Sequence, residues 1–294
     1  MKINKKQIKR AMLGYTFLGP PIIGFFAFTL IPVIASLVLA FMEWDIIRPP
    51  VWVGFQNYIR LFHDKDFWYY IYNTVYFVLS LPLGLAFSLF LALLVNQKLK
   101  GISLFRTIYF FPVISSVVAC ALIWRWIYNG DYGLLNAFLK YIGIYNPPNW
   151  LRDVVWAKPA LIIMGTWKGA GSSMLIYLAA LQSIPEELYE SANIDGATGW
   201  KKFWHITLPM LSFANFYLII TGIMGSFQVF SEPFMMTGGG PLGSTTTVVY
   251  AIYTNAFQQF RMGYASAISW FLFLVIFTTT LVQWNYGGGK KYYY

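Results

Sequence analysis

The sequence is poor in charged residues, cysteine and histidine, and each shortage excludes a class of protein. Only 11% of the 294 residues are charged, whereas soluble globular domains carry about 25%, so water is not expected to be the sole solvent. The single cysteine, Cys120, can form no internal disulfide, and we interpret it as a small packing residue. The two histidines offer no converging set for metal or acid–base chemistry. We therefore expect no catalytic residue, no metal and no cofactor, which argues against a membrane enzyme.

The chain also lacks a G-x-x-x-x-G-K-S/T phosphate-binding loop. The nearest approach, Gly-Ala-Gly-Ser-Ser at 169–173, has no lysine and lies in an apolar stretch. The chain itself is therefore not expected to hydrolyse ATP. Its net charge of +10 does not indicate nucleic acid, because the basic residues stand mostly at the ends of apolar runs.

What the sequence does contain is long apolar runs, and 58% of its residues are hydrophobic. A helix needs about 20 apolar residues to cross the hydrocarbon core of a bilayer. Six stretches approach or exceed that length: 12–42, 71–94, 107–128, 160–181, 208–230 and 265–284. The prediction is an all-α, polytopic membrane protein with six transmembrane helices in the lipid bilayer.

Lysine and arginine predict the orientation, because cytoplasmic loops are enriched in them. With both termini in the cytoplasm, the inner segments hold 12 of these residues and the longer outer loops seven, Lys158 among the latter. We predict three regions: an N-terminal span with an outer amphipathic segment (1–70), a five-helix core (71–284) with a cytoplasmic loop at 182–209, and a flexible cytoplasmic tail (285–294). The outer segments Gln56–Phe62 and Leu134–Ile142 have helical apolar spacing and are expected at the membrane surface, as caps or as partner contacts.

The loop after the fourth span predicts two short helices joined by a glycine turn. Ser183 and Glu186 have the spacing of a capping box, with Pro185 in the first turn. Asp195-Gly196 is expected to end the first helix, since glycine adopts the left-handed conformation at a helix C-terminus. A second amphipathic stretch, Trp200–Ile206, leads to Leu208-Pro209 and the fifth span.

This loop resembles the EAA loop of ABC importer permeases. Glu190-Ser191-Ala192, Gly196 and Ile206-x-Leu208-Pro209 keep the spacing of that motif, with Ser191 where the family usually has alanine. The flanking residues, and further similarities such as Val53-Gly-Phe-Gln-Asn-Tyr and Met236-Thr-Gly-Gly-Gly-Pro, resemble the maltose-type carbohydrate uptake permeases, which have the MetI-like fold. The resemblance covers roughly residues 15–285.

The resemblance implies a permease subunit of a binding-protein-dependent ABC importer in a bacterial or archaeal inner membrane, forming the path for a sugar. The implied partners are a second homologous permease, two cytoplasmic ATPase subunits and an extracytoplasmic solute-binding protein. Residues 183–209, here named the coupling loop, would dock on the ATPase. The implied docking residues are Glu186, Glu187, Glu190, Ser191, Ala192, Asp195 and Gly196.

Candidate residues for the substrate path lie in the fourth and fifth predicted spans. By register with the family's motifs, the sugar-lining positions fall on Gly169, Ser172, Gly222, Gly225, Ser226 and Val229. Gln228 and Glu232 are predicted on a neighbouring face. The small residues could instead serve close helix packing.

Lys168 is a further candidate, because an ionisable residue at membrane depth suggests function. It could line a wet cavity, pair with Glu232, or extend to the outer interface. The alternative function is an ion-coupled secondary transporter of a small polar solute. Such transporters usually carry intramembrane carboxylates, and here only Glu232, at a span edge, qualifies.

Overall fold

The computed structural model describes residues 5–97 and 100–285, with side chains from Leu13 onwards, and this part of the chain is mostly helical. The predicted tail, apart from residue 285, and Lys2 lie outside the described residues. Two strands of two residues each, β1 (Met42–Glu43) and β2 (Val51–Trp52), pair antiparallel. The helical class predicted from the sequence is confirmed.

The helices of the first half are α1 (Lys5–Phe25), α2 (Ile31–Leu39), α3 (Gln56–His63), α4 (Lys65–Leu79), α5 (Leu81–Val95), α6 (Ile102–Ile114), α7 (Val117–Ile127) and α8 (Leu134–Tyr141). Those of the second half are α9 (Ala157–Gln182), α10 (Glu186–Ile194), α11 (Gly199–Lys202), α12 (Leu208–Met210), α13 (Ser212–Phe227), α14 (Ser231–Met236), α15 (Val248–Tyr253) and α16 (Met262–Gln283). Three π-helical turns, Phe26–Leu30, Phe203–Thr207 and Thr254–Gln258, connect neighbouring helices. The predicted helices at 56–62 and 134–142 are confirmed as α3 and α8.

The chain divides into two compact units, and the first contains residues 5–64 and 252–271. The Nδ2 of Asn57 in α3 donates to the carbonyls of Ala40 and Met42, at 3.0 and 2.9 Å. The indole of Trp270 donates to the hydroxyl of Ser36 in α2 at 3.2 Å. The Asn57 bonds join α3 to the chain before it, and the Trp270 bond joins α2 to the first half of α16.

The second unit contains residues 65–97, 100–251 and 272–285, and its core forms around α9. One face of α9 packs Met174 and Tyr177 against α5 and α13, with Ala92 and Leu218 among their neighbours. Nearer its N-terminus, Met164 packs with α7 and with the end of α4. Small residues such as Gly171 lie between these large residues along α9. Helices α5 and α6 therefore approach α9 closely.

Three helical stretches are long and apolar enough to cross a membrane: Leu13–Leu39, Lys65–Val95 and Met262–Gln283. Two further stretches qualify if each bent helix pair counts as one span, which gives up to five among the described residues. The fourth predicted span corresponds to α9, whose 26 residues cover about 39 Å. It is less apolar than the others because it carries Lys168 and several glycines and serines.

The third predicted span, 107–128, is not one continuous helix. Helices α6 and α7 meet at Ser115 and Ser116, and their axes differ by 101°. Both serines have extended ψ angles of 143° and 135°, which end the helical hydrogen-bonding pattern. The hydropathy of the stretch did not reveal the break, because apolar residues continue through it.

Lys158 was assigned to an outer loop from the sequence, and this assignment is wrong. It lies in the first turn of α9 with 8% of its surface exposed. Its Nζ donates to Asn73 Oδ1 at 3.1 Å and lies 4.6 and 4.9 Å from the ring centroids of Tyr72 and Tyr76. The two rings and the amide provide the polar contacts that a buried ammonium requires.

Candidate functional site

A cavity of about 250 Å³, partly open to the surface, lies between α5, α9 and α13 in the second unit. The first wall is formed by the end of α4 and by α5, the second by α9, and the third by the end of α13 and the start of α14. Its lining residues are Phe77, Ser80, Leu81, Gly84, Leu85, Ser88, Leu161, Ile162, Gly165, Thr166, Gly169, Ala170, Ser173, Gly222, Gly225, Ser226, Val229 and Glu232. Small residues predominate, and five of the 18 lining residues carry a hydroxyl group.

The glycines of this region have two different roles. A Cβ atom added at Gly165, Gly169 or Gly225 would meet no atom within 4 Å, so these glycines border open space. A Cβ at Gly222 would lie 2.6 Å from Cδ1 of Leu81, and one at Gly171 would overlap the Tyr109 carbonyl oxygen. The small residues therefore form a cavity wall at some positions and allow close packing at others.

Glu232 is the single ionisable residue among the described lining residues. It lies in the first turn of α14 and is half-buried. A carboxylate that faces a confined space between helices favours cations and hydrogen-bond donors and disfavours anions.

Six of the nine residues predicted for the path are brought together at this cavity: Gly169, Gly222, Gly225, Ser226, Val229 and Glu232. Lys168, Ser172 and Gln228 are not among its lining residues. Ser172 is exposed, and its hydroxyl donates to the Gly169 carbonyl at 2.8 Å. Gln228 is the exposed C-terminal cap of α13.

The predicted shared face of Gln228 and Glu232 is wrong, because α13 ends at Phe227 and Glu232 belongs to a separate helix. The chain turns between them at Phe230, whose φ of −137° is not helical. Residues four apart share a face only within one continuous helix. The spacing therefore does not place Gln228 and Glu232 on the same face.

Lys168 neither lines the cavity nor pairs with Glu232. Its Nζ donates to the carbonyl oxygen of Ser115 at 3.2 Å, at the break between α6 and α7. The break leaves carbonyl groups near the end of α6 without helical partners, and a cation satisfies one of them. Lys168 therefore contacts the helix break and does not line the cavity between α5, α9 and α13.

The α5 wall of the cavity was missed from the sequence. Ser80, Gly84 and Ser88 recur every four residues along the second predicted span, which places them on one side of a helix. This four-residue spacing is the sequence feature from which the α5 wall could have been predicted. Ser88 is buried, and its hydroxyl donates to the Gly84 carbonyl at 2.8 Å.

The coupling loop forms the predicted helix, turn and helix. Gly196 has a φ of +70°, and its N–H donates to the Asn193 carbonyl at 3.1 Å. The N–H of Ala197 donates to the Ala192 carbonyl at 2.8 Å. These two bonds are those of a Schellman motif, so the predicted glycine stop of α10 is confirmed.

Two side-chain contacts hold the helices of the coupling loop together. Lys202 Nζ donates to Asn193 Oδ1 at 2.8 Å, and the hydroxyls of Tyr189 and Thr207 lie 2.9 Å apart. Thr198 caps α11 by accepting from the Lys201 N–H at 3.4 Å. The loop is therefore ordered before any partner binds, which lowers the entropy cost of docking.

The predicted capping box is wrong. Ser183 is the C-terminal cap of α9, and its hydroxyl donates back to the Ala180 carbonyl at 2.7 Å. The residue that caps α10 is Pro185, which offers no side-chain acceptor. Glu186 and Glu187 occupy the first turn of α10 as expected, where the helix dipole favours negative charge.

Six of the seven predicted docking residues are exposed: Glu186, Glu187, Glu190, Ser191, Asp195 and Gly196. Ala192 is half-buried beside Ala197, Lys202 and Ile206, in a groove between the two helices. Acidic side chains thus cover the outer surface of α10.

The chain matches a protein family described as the inner membrane component of binding-protein-dependent transport systems, over residues 68–285. This match covers more than half of the chain, and it includes both the cavity and the coupling loop. The chain belongs to this family. It is therefore a multi-pass permease subunit of the inner membrane.

The permease is similar along nearly its whole length to characterised and probable ABC permeases. It is 37% identical to the probable ABC transporter permease protein YesP of Bacillus subtilis (strain 168), over 96% of this chain and 92% of that protein. It is 36% identical to the lactose transport system permease protein LacF of Rhizobium radiobacter, over 95% of each chain.

Among solved structures, the permease resembles a chain of a bacterial ABC transporter involved in the import of the acidic polysaccharide alginate. The TM-score is 0.84 with 31% sequence identity, and the match covers 95% of this chain and 96% of the other. A second structure of the alginate transporter contains a periplasmic protein with a bound alginate pentasaccharide. The fold of the permease is therefore that of a sugar-importer subunit.

Proposed function

We propose that this permease forms one half of the membrane path for a neutral sugar in a binding-protein-dependent ABC importer. Its relatives LacF and the alginate transporter chain carry sugars. The observation that carries the proposal is the cavity between α5, α9 and α13, with its hydroxyl-bearing wall and single carboxylate. Because Lys168 faces Ser115 and not this cavity, a neutral sugar fits the lining better than an anionic one.

The proposed topology has six spans, with α9 as the sixth in addition to the five stretches that are apolar enough. Helix α9 is long enough to span the bilayer, and its polar residues are accommodated because it is packed inside the second unit. Both termini are placed in the cytoplasm on the basis of the lysine and arginine distribution. The regions 1–70, 71–284 and 285–294 remain our predicted division.

The proposed partners follow from the family: a second permease, two ATPase subunits and a solute-binding protein. The coupling loop would dock on an ATPase subunit through the exposed acidic surface of α10, which carries Glu186, Glu187 and Glu190. The Schellman turn at Gly196 fixes the angle between the two short helices, so movement of the ATPase would be transmitted to α13.

The proposal is tested with the complete transporter in proteoliposomes, with ATP inside and the binding protein outside. Neutral oligosaccharides and uronic acid oligosaccharides are supplied in parallel, and uptake and ATP hydrolysis are measured together. We expect a neutral sugar to stimulate ATP hydrolysis through the binding protein, and uptake to stop when the ATPase subunits are omitted.

Omission of the ATPase subunits separates this proposal from an ion-coupled transporter. Sugar uptake that persists without ATPase subunits, driven by a proton or sodium gradient, would contradict an importer. Stimulation by uronic acid oligosaccharides alone would instead contradict the neutral substrate and leave the importer assignment intact.

A further inference from the structure

The segment that follows the glycine turn, residues 199–210, exposes two tryptophans beside basic side chains. Trp200 and Trp204 expose 71% and 48% of their surface, and their ring centroids lie 5.7 Å apart. Lys201 and His205 are exposed next to them. These four residues, here named the Trp–Lys face, do not line the cavity between α5, α9 and α13.

The same segment is held by the rest of the coupling loop through Lys202 and Thr207. Thr207 is buried, and its hydroxyl contacts that of Tyr189. Lys202 is half-buried and donates to Asn193. These contacts fix the rotation of the segment. Lys201 and His205 border the groove beside Ala192 of α10, whereas Trp200 and Trp204 do not line that groove.

The angle of the segment places this face near a membrane surface. The helical stretch Gly199–Met210 is bent by 64° relative to Ser212–Phe227, which is α13. At about 1.5 Å per residue, Trp204 and Trp200 lie about 10 and 17 Å along the segment from Leu211. Projected on the axis of α13 through the 64° bend, they lie only about 5 and 7 Å beyond the start of the span.

That depth corresponds to the headgroup region, which is about 5–8 Å thick on each side of the hydrocarbon core. Helix α13 has 16 residues and covers about 24 Å, less than the roughly 30 Å of the core. The start of α13 therefore lies at or just inside the edge of the hydrocarbon core. Both indoles then lie at the boundary between this core and the headgroup layer.

We propose that the Trp–Lys face lies in the headgroup layer of the leaflet from which α13 starts, where it binds anionic phospholipid. Indole rings favour this layer, since one edge is apolar and the N–H can be hydrated. Lys201 would reach the lipid phosphates while its methylene groups stay beside the tryptophans. This inference depends on α13 crossing the membrane and not on the proposed sugar or ATPase roles.

The distribution of charge favours lipid over a protein partner at this face. The exposed carboxylates of the coupling loop, Glu186, Glu187, Glu190 and Asp195, all lie on α10 or at its end. The Trp–Lys face carries only basic groups. An anionic membrane surface attracts the basic residues of the Trp–Lys face and repels the carboxylates of α10. The loop is therefore oriented with α10 away from the lipid.

The test uses the complete transporter in vesicles of phosphatidylcholine and phosphatidylglycerol, with Cys120→Ala so that a single new thiol can be labelled. Trp200→Cys and Ile194→Cys each carry an environment-sensitive NBD fluorophore. Ile194 is the matched control because it is 88% exposed in the same loop, at the end of α10. We expect a blue-shifted emission that is quenched by doxyl-labelled lipid at position 200, and quenching by aqueous iodide at position 194.

The lipid charge is tested in the same vesicles by comparing doxyl-labelled phosphatidylglycerol with doxyl-labelled phosphatidylcholine. Quenching at position 200 should favour phosphatidylglycerol, and Lys201→Gln should reduce that preference by about five-fold at low ionic strength. Equal quenching at positions 200 and 194, or a preference that Lys201→Gln does not change, would overturn the proposal. Shielding at position 200 that appears only when the ATPase subunits are present would also overturn the proposal. The Trp–Lys face would then be part of the ATPase interface.

Discussion

Lys168 is the residue whose surroundings differ most from its expected role. Its ammonium group is half-buried and donates to the Ser115 carbonyl, 53 residues earlier in the chain. An unpartnered carbonyl and an unpartnered ammonium would each be costly inside a bilayer, and the contact satisfies both. The lysine therefore stabilises the break between α6 and α7.

Replacement of Lys168 by methionine should destabilise the permease without changing its apparent affinity for sugar. The lost hydrogen bond to a charged group is worth about 1.5–3 kcal/mol. We expect a lower unfolding temperature in detergent and an unchanged KM for uptake. Lys168→Arg should restore most of the stability, since the guanidinium can donate to the same carbonyl. A raised KM at normal stability would instead place Lys168 in the substrate path.

Gly171 shows how a single hydrogen atom in place of a side chain sets the distance between helices. An added Cβ would overlap the Tyr109 carbonyl oxygen and lie 3.0 Å from Cα of Phe110, both in α6. These are backbone atoms, which cannot move aside without displacing the helix. The close approach of α6 to α9 therefore requires glycine at this position.

Gly171→Ala should lower the free energy of unfolding by about 1–3 kcal/mol, the usual cost of overpacking. Gly165→Ala is the matched control in the same helix, because its Cβ would meet no atom within 4 Å. That control should be neutral or slightly stabilising, since alanine is a better helix former than glycine. Thermal unfolding of the two purified variants makes the comparison, and equal losses would show that the packing argument is wrong.

At the scale of elements, the coupling loop connects two short helices through a turn that only glycine adopts easily. Gly196 has no neighbour within 4 Å of a built Cβ, so space does not limit substitution there. Its φ of +70° does, because other residues are strained in the left-handed region. The turn is therefore sensitive to backbone conformation alone.

Gly196→Val should abolish sugar uptake and its coupling to ATP hydrolysis while the permease still assembles in the membrane. Strain of about 1–2 kcal/mol is expected for a non-glycine residue, and more for a β-branched one. The measurements are uptake, substrate-stimulated ATP hydrolysis and the amount of assembled transporter.

Gly199→Ala is the control for this substitution, because Gly199 lies in the same loop with open space around it and without a positive φ. It should retain normal transport. Normal transport by Gly196→Val in an assembled complex would remove the turn from the coupling mechanism.

At the scale of the whole molecule, the described lining of the cavity carries one carboxyl group and no basic residue, although the protein is strongly basic. The net charge is +10, yet the single ionisable residue of the described lining is Glu232. The basic residues lie at the ends of spans or, like Lys158 and Lys168, contact other groups. The one ionisable group of the described cavity lining is thus opposite in sign to the net charge of the protein.

The charge of the path can be measured before the sugar is known. Ser226→Cys in a Cys120→Ala background places a thiol in the cavity wall. A cationic methanethiosulfonate reagent should label it about ten-fold faster than an anionic one, which corresponds to roughly 1.4 kcal/mol of electrostatic preference. Glu232→Gln should remove the preference, whereas Glu190→Gln, in the coupling loop, should leave it unchanged. Equal labelling by both reagents in the presence of Glu232 would contradict an acidic path.

The sequence by itself determined the membrane class, the helices α3 and α8, the glycine turn at Gly196 and the resemblance to the permease family. These properties are local: a run of apolar residues reports the surrounding solvent, and a glycine after a helix reports a backbone conformation. The motif spacing in the coupling loop is likewise contained in one short segment of chain.

The tertiary structure decided which small residues border the cavity and which allow helix packing. Gly169 and Gly225 face open space, Gly171 lies against α6, and Gly222 both lines the cavity and lies against Leu81 of α5. Composition does not distinguish these positions, because a wall of a polar cavity and a close helix contact both select small residues. The contact of Lys168 with Ser115 was also decided by packing, since it joins α9 to a helix break that a continuous apolar run conceals.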